Sequence, residues 1–163
     1  PGAAVAAEVA GRVSVICPTM ESRHNRHPQL YGSFICQSLQ DKELIVVDTG
    51  PHPSYFFSCL SDPRVRYHHI EGPEDAMTVG AKRNRALDWA SGEYVAHFDD
   101  DDLYAPPYLD GMLQAMRRGA GYVCKLAAWY VLDTETGVCG HYDNNFTLPQ
   151  PFEEHRGRGL FTH

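Results

Sequence analysis

Four short apolar segments alternate with helical segments along most of this chain. The apolar segments read VSVIC, ELIVVD, RVRYHHI and GEYVAHF, and they contain many of the β-branched and aromatic residues typical of strands. Helical patterns lie between them over residues 30–39 and 79–90. Strands that alternate with helices are typical of an α/β fold. The sequence therefore predicts a mainly parallel sheet flanked by helices.

The last third of the chain has a different pattern. A proline pair at residues 106–107 suits the first turn of a helix, and an apolar stripe follows over residues 108–116. After it, GYVCKLAAWYVL and GVCGHY, joined by the turn DTETG, predict a C-terminal β-hairpin. We expect a flexible lead-in over residues 1–11, an α/β domain over residues 12–142 and a tail over residues 143–163.

The composition argues against several classes of function. The 163 residues carry a formal net charge of −7, whereas general nucleic-acid binding needs a basic face. No apolar run approaches the roughly 20 residues that span a bilayer, and the first residues lack a signal-peptide pattern, so we expect a cytoplasmic protein. Five cysteines without a C-x-x-C pair favour buried free thiols. We expect most of the nine histidines to be surface residues, including those of HNRH.

Polar residues follow three of the four predicted strands. Residues 18–21, from Pro18 to Glu21, follow the first strand, Asp48 ends the second, and residues 99–102 follow the fourth. In open parallel sheets, ligands bind outside the carboxyl ends of the strands, where the strand order reverses. The topology therefore predicts a ligand site at this edge.

The four consecutive aspartates at residues 99–102 admit two interpretations. Two unit charges about 4 Å apart at a protein surface repel by roughly 4 kcal/mol, so the cluster needs solvent or a cation to offset it. An acidic loop that caps the following helix would account for one or two of the charges. Alternatively, Asp99 and Asp101 form an Asp-x-Asp pair of hard oxygen ligands suited to Mg²⁺ or Mn²⁺.

Arg83 is the second informative residue. In a helix over residues 79–90, it shares a stripe with Val79, Ala86 and Ala90, which we expect to be buried. A buried arginine needs an anionic partner. The partner is either Asp48 or one of the four aspartates in a structural salt bridge, or a ligand in the predicted pocket, which we favour.

The order of these motifs resembles a known enzyme family. VSVICPT, SFICQSLQDKELIVVDTG and GAKRNRALDWASGEYVAHFDDDDLYAPPYL, taken together, resemble the nucleotide-sugar-binding domain of family 2 glycosyltransferases, which have the GT-A fold. The resemblance covers residues 12–132. It implies a metal-dependent transfer of a sugar from a nucleoside diphosphate donor, usually a UDP-sugar, to an acceptor hydroxyl of a saccharide, lipid or protein, with inversion at the anomeric carbon.

The resemblance also implies roles for individual residues. Pro18 and Thr19 match the loop around the base, Asp48 the acid that contacts it, and Arg83 the arginine of the family's Arg-Asn pair. Asp99 and Asp101, followed by Asp102, match the acids that hold Mn²⁺ or Mg²⁺ on the diphosphate. The predicted residues for nucleotide-sugar binding are therefore Pro18, Thr19, Glu21, Asp48, Arg83, Asp99 and Asp100.

The general base that an inverting transfer needs is not identified by the sequence. In the family this acid lies downstream of the metal motif, where only Asp143, Glu153 and Glu154 remain, and none has a matching context. The alternative is a nucleotide-binding module of the same fold that lacks a complete acceptor site and has no catalytic activity.

Overall fold

The computed structural model describes residues 11–119 and 122–144. Six strands are described: β1 (Val13–Met20), β2 (Lys42–Gly50), β3 (Val65–Glu71), β4 (Tyr94–His97), β5 (Ala128–Leu132) and β6 (Cys139–Asp143). A 3₁₀ helix (Glu21–Arg26) follows β1, and the α-helices are α1 (His27–Ile35), α2 (Tyr55–Cys59), α3 (Val79–Trp89) and α4 (Tyr108–Gly119).

The first four strands form one sheet in the order β3-β2-β1-β4, and every pair in it is parallel. β5 and β6 form a separate antiparallel hairpin. The predicted α/β fold and C-terminal hairpin are therefore confirmed. The strand order reverses at β1, because β2 and β3 lie on one side of it and β4 on the other, so a topological switch point lies between β1 and β4.

The chain divides into two compact units, with the boundary after Gly111 inside α4. The first unit contains the four-stranded sheet, and β2 is buried along its whole length, as expected for a parallel strand covered on both faces. Its core includes Ile16, Ile45 and Val47 from the sheet and Ala86 from α3. The second unit contains the hairpin. Among the described residues, no helix has both the length and the apolar character needed to cross a lipid bilayer.

Several element boundaries differ from those predicted. β1 extends to Met20, so Pro18 and Thr19 lie in a strand and not in a loop, because both pair in register with β2. The segment after it is helical, and α1 begins at His27, where Pro28 occupies the first turn and lacks an N–H that would need a partner.

The prediction of buried cysteines is mostly wrong. All five cysteines are free thiols, but only Cys17 is buried. Cys36 and Cys59 lie at the ends of short helices, and Cys139 lies on the exposed strand β6, so none of these three is covered by a neighbouring layer.

Gly92 marks a close approach between the start of β4 and β1. A Cβ atom at this position would lie 2.7 Å from three atoms, Arg12 O, Ser14 N and Ser14 Oγ. We expect Gly92→Ala to lower the free energy of unfolding by about 1–3 kcal/mol, because the backbone of β1 cannot move aside without disturbing the sheet. Gly32→Ala is the matched control, since Gly32 lies inside α1 with nothing within 4 Å of the added methyl. This change should stabilise by about 0.5–1 kcal/mol. Urea unfolding measures both changes, and equal effects would contradict the prediction.

Candidate functional site

The carboxyl ends of β1, β2 and β4 bring three buried polar side chains together. Thr19 pairs in register with Asp48 on the neighbouring strand. The Thr19 hydroxyl also donates a hydrogen bond of 2.6 Å to Oδ2 of Asp100, which follows β4. All three residues are at most 2% exposed. The polar groups that follow separate strands in the sequence therefore converge at one edge of the sheet.

Asp48 is held through one of its two carboxylate oxygens. Its Oδ2 accepts hydrogen bonds from the Tyr67 hydroxyl at 2.5 Å and from His24 Nε2 at 2.8 Å. Burial and the adjacent Asp48 raise the pKa of Tyr67 well above its usual range, so this hydroxyl stays a donor. Within the described residues, Oδ1 of Asp48 is buried and has no hydrogen-bond partner. A fixed carboxylate with one unused oxygen can accept an N–H from a ligand.

Arg83 forms a salt bridge to the aspartate cluster, which is the less favoured of the two alternatives, since its Nη2 donates to Asp99 Oδ1 at 3.0 Å. The favoured contact with a ligand stays a prediction. Its Nε is buried without a partner among the residues that the structure describes. The predicted buried stripe is partly wrong, because Val79 is exposed and α3 buries Lys82 together with Ala86. Lys82 Nζ reaches under the site and donates to the Thr19 carbonyl at 2.6 Å.

Two arginines pair with three of the four aspartates. Arg83 pairs with Asp99, while Arg23 Nη1 donates to Asp100 and to Asp101, both at 2.8 Å. Burial alone would raise the pKa of Asp101, but the hydrogen bond and charge of Arg23 outweigh it, so that pKa is lowered. The hydrogen bonds that Arg23 donates to Asp101 and Asp100 in turn raise the pKa of Arg23. The repulsion expected from the sequence is therefore reduced by cationic side chains from other elements.

Helix capping does not explain the remaining aspartate. Asp102 lies six positions before Tyr108, the first residue of α4, which is too far for an N-cap residue. Its Oδ2 lies 3.4 Å from the Tyr104 hydroxyl. The backbone N–H of Asp99 donates to the same hydroxyl at 3.0 Å, so Tyr104 closes the aspartate loop, residues 99–102.

Asp99, Asp101 and Asp102 carry carboxylate oxygens, which are the ligand type that a hard divalent cation prefers. In the described part of the chain, however, no three His, Cys, Asp or Glu side chains are positioned to hold a metal ion together. Arg23 and Arg83 supply positive charge to two of the three carboxylates. The metal ligands Asp99, Asp101 and Asp102 stay a prediction.

Comparison with known proteins decides the family. Residues 14–160 match the family described as Glycosyl transferase family 2. This chain belongs to glycosyl transferase family 2. It is 30% identical over 153 residues to WcaA of Escherichia coli K12, provisionally named as a colanic acid biosynthesis glycosyl transferase, with 91% of this chain and 52% of WcaA covered.

Two further proteins are similar to this chain. The chain is 29% identical over 106 residues to the Escherichia coli UDP-Glc:alpha-D-GlcNAc-diphosphoundecaprenol beta-1,3-glucosyltransferase WfgD, with 64% of this chain and 40% of WfgD covered. S. aureus TarS 1-349 matches with a TM-score of 0.54 and 20% identity, over 71% of this chain and 39% of that one. The GT-A fold is thereby confirmed. The chain spans about half the length of WcaA and less than half of WfgD.

The remaining predicted site residues of this family 2 domain lie in different surroundings. Glu21, in the first turn of the 3₁₀ helix, accepts hydrogen bonds from the backbone N–H of His52 at 2.8 Å and its ring Nδ1 at 3.0 Å. These bonds lower the pKa of Glu21. Pro18 pairs with Val47 inside the sheet. Asp143 is exposed at the end of β6, and Glu153 and Glu154 lie outside the described residues, so none of the three is assigned as a base.

The prediction of surface histidines in HNRH is wrong for this family 2 domain. His24 binds Asp48, and His27 is fully buried between Thr19 and Ser54. The polar composition of this segment predicts a loop, but the segment is helical. The sequence signal that could have revealed their burial is the three-residue spacing of the histidines, because this spacing places both on one face of a helix.

The buried His27 predicts an acid-sensitive fold for the family 2 domain. Burial lowers the pKa of His27 from its ordinary 6.5 to about 4; the charge of Asp48 opposes this shift, and that of His24 adds to it. Because the folded pKa is depressed, this contribution to stability is present above pH 6.5 and is lost as the pH falls towards 4. We expect the free energy of unfolding to fall by about 3 kcal/mol over this range.

Urea unfolding at pH 7, 5.5 and 4 measures this decline. His27→Gln should make it shallower, because glutamine does not titrate. His141→Gln on the exposed hairpin is the control and should leave the decline unchanged. An unchanged pH dependence in His27→Gln would show that another group is responsible.

Proposed function

We propose that this chain forms the donor-binding domain of a metal-dependent, inverting glycosyltransferase. The enzyme transfers a sugar from a nucleoside diphosphate sugar, with UDP as the nucleotide, to an acceptor hydroxyl. The observation that carries the proposal is the pair of buried atoms, Asp48 Oδ1 and Arg83 Nε, that have no hydrogen-bond partner among the described residues. A buried polar atom without a partner costs about 1–3 kcal/mol, which a ligand with matching groups recovers.

The carboxylate of Asp48 favours a pyrimidine base with an N–H donor at N3. Uracil carries such an N–H at N3, whereas cytosine presents an acceptor there. S. aureus TarS has been solved in complex with UDP, and WfgD is named for a UDP-Glc donor. Both facts concern those proteins, and they support UDP as the first nucleotide to test here.

Asp99, Asp101 and Asp102 are the residues proposed to hold Mn²⁺ or Mg²⁺, which when bound would neutralise the charge that develops on the diphosphate leaving group. Arg23 and Arg83 adjoin the same carboxylates and can donate to phosphate oxygens. Pro18, Thr19, Glu21 and Asp100 complete the proposed donor-binding set.

The acceptor is proposed to be a hydroxyl of a saccharide, lipid or protein. WfgD is named for a diphosphoundecaprenol-linked acceptor, which makes lipid-linked sugars one class to test. Asp143, Glu153 and Glu154 stay candidates for the general base, and the cytoplasmic location stays a prediction.

A thermal-shift panel tests the proposal. UDP, GDP, CDP and their sugars are added with and without Mn²⁺, and a ligand at 100 times its Kd should stabilise the fold by about 2.7 kcal/mol. We expect the UDP shift to need Mn²⁺ and to be lost in Asp101→Asn but kept in Asp88→Asn, an exposed position on α3. A UDP shift that needs no metal would count against metal dependence. Binding without any donor hydrolysis or transfer would favour a non-catalytic module instead.

A further inference from the structure

Asp100 is held inside the protein through both of its carboxylate oxygens. Oδ2 accepts the Thr19 hydroxyl at 2.6 Å and Oδ1 accepts Arg23 Nη1 at 2.8 Å. Its exposed fraction is 2%, whereas the Asp101 side chain is 48% exposed. Asp100 therefore attaches the aspartate loop to β1 through Thr19.

The hydrogen bonds behind Asp100 have a single consistent direction. Thr19 has one hydroxyl proton, which it gives to Asp100, so its oxygen must accept from His27 Nε2 at 3.1 Å. Nε2 therefore carries a proton, and in a neutral imidazole Nδ1 is then an acceptor. The Ser54 hydroxyl, 2.7 Å away, donates to it.

Burial keeps this arrangement in one protonation state. His27 is fully buried and packs against the ring of Phe57, with ring centroids 4.8 Å apart. The low pKa described above keeps the imidazole neutral at physiological pH, and this leaves Nδ1 as the acceptor of the Ser54 hydroxyl.

Ser54 links the two buried carboxylates of the site. Its hydroxyl starts the chain through His27 and Thr19 to Asp100, and its backbone N–H donates to the Tyr67 hydroxyl at 2.6 Å, which in turn donates to Asp48. As the N-cap of α2, its hydroxyl also accepts from Phe57 N–H at 3.4 Å. An N-cap role alone requires neither of the other bonds.

We propose that His27 is a positioning residue that fixes the orientation of Asp100 through Thr19, and that the Ser54–His27 pair thereby sets the aspartate loop for donor binding. His27 has no role in the motifs that define the family 2 resemblance. The orientation of Asp100 can be measured in the ligand-free protein. Only the effect of His27 on donor binding rests on the proposed function.

The test compares His27→Phe, which keeps a ring but removes both nitrogens, with His27→Gln, which keeps a donor and an acceptor. NMR of the ligand-free protein should show His27 protonated at Nε2 and not at Nδ1. The carboxyl carbon resonance of Asp100 should move in His27→Phe and stay near its original position in His27→Gln. In titrations of UDP with Mn²⁺, His27→Phe should raise the Kd about tenfold and His27→Gln less than about threefold, because the chain supports a hydrogen bond to a charged group.

The outcomes separate this proposal from the proposed function. A protonated Nδ1, or an Asp100 resonance that is the same in all three proteins, overturns the positioning role whether or not nucleotide binds. If the resonance moves as expected but the original protein binds no UDP, the positioning role stands and the proposed nucleotide fails. If His27→Phe does not fold, Ser54→Ala replaces it, and an unmoved Asp100 resonance there overturns the proposal.

Discussion

If the domain binds UDP as proposed, Asp48→Asn should change its preferred nucleotide from UDP to CDP. The amide that replaces the carboxylate would keep an oxygen towards Tyr67 and His24, so the substitution preserves both existing hydrogen bonds. At the unpartnered Oδ1 position it would instead present an NH₂ group, which opposes N3–H of uracil but donates to N3 of cytosine. We expect about a hundredfold loss for UDP and about a tenfold gain for CDP.

Isothermal titration of UDP and CDP, each with Mn²⁺, measures this change of about a thousandfold in the ratio of the two affinities. The same chemical change at the exposed Asp88 should leave both affinities unaltered and controls for the lost charge. A variant that still prefers UDP would show that Asp48 does not face the base.

Among the substitutions considered for stability, Glu43→Ala should lower the free energy of unfolding most. Glu43 is 3% exposed, and its carboxylate accepts from the Ser14 hydroxyl and from both the N–H and hydroxyl of Ser91, each at 2.7 Å. Arg66 pairs with its second oxygen at 3.3 Å. Removing one partner of a buried, hydrogen-bonded charge costs about 3–5 kcal/mol, because the remaining donors lose their acceptor.

The effect of Glu43 should also depend on pH. Burial alone would raise the pKa of Glu43, but the hydrogen bonds from Ser14 and Ser91 and the charge of Arg66 outweigh it, so that pKa is lowered. A depressed carboxyl pKa contributes stability above the unfolded value, and this contribution is lost as the pH falls through the folded value. The difference in unfolding free energy between the original protein and Glu43→Ala should therefore shrink on acidification. Glu93→Ala, at an exposed position, is the control, and a comparable loss there would contradict the prediction.

The two acids of β2 illustrate what the sequence can predict. Asp48 lies near the carboxyl end of the strand and Glu43 near its amino end, and both are buried. The rule that ligands bind at the carboxyl ends of parallel strands distinguishes them, and it correctly brought Thr19, Asp48 and Asp100 to one edge. The rule could not predict that Glu43 is buried and hydrogen-bonded, because its partners Ser14 and Ser91 come from distant segments.

The missed residues share a physical cause. Lys82 and Arg83 are separated by about 100° on α3, and both have side chains long enough to turn, so helical periodicity could not decide which one is buried. His24, His27 and Arg23 lie on a helical segment that polar composition made look like a loop. Their partners come from distant segments of the chain, so the local sequence pattern could not predict these contacts.

The bond between Thr19 and Asp100 has a consequence for how the protein folds. The two residues are 81 positions apart in the chain, and they meet only after β4 pairs with β1. Non-local parallel pairing is slow, since the entropy of closing the intervening chain is paid before the contacts form. We therefore expect the proposed UDP binding to appear only in the last refolding phase. After dilution from urea, the onset of the binding signal would then report when β4 pairs with β1.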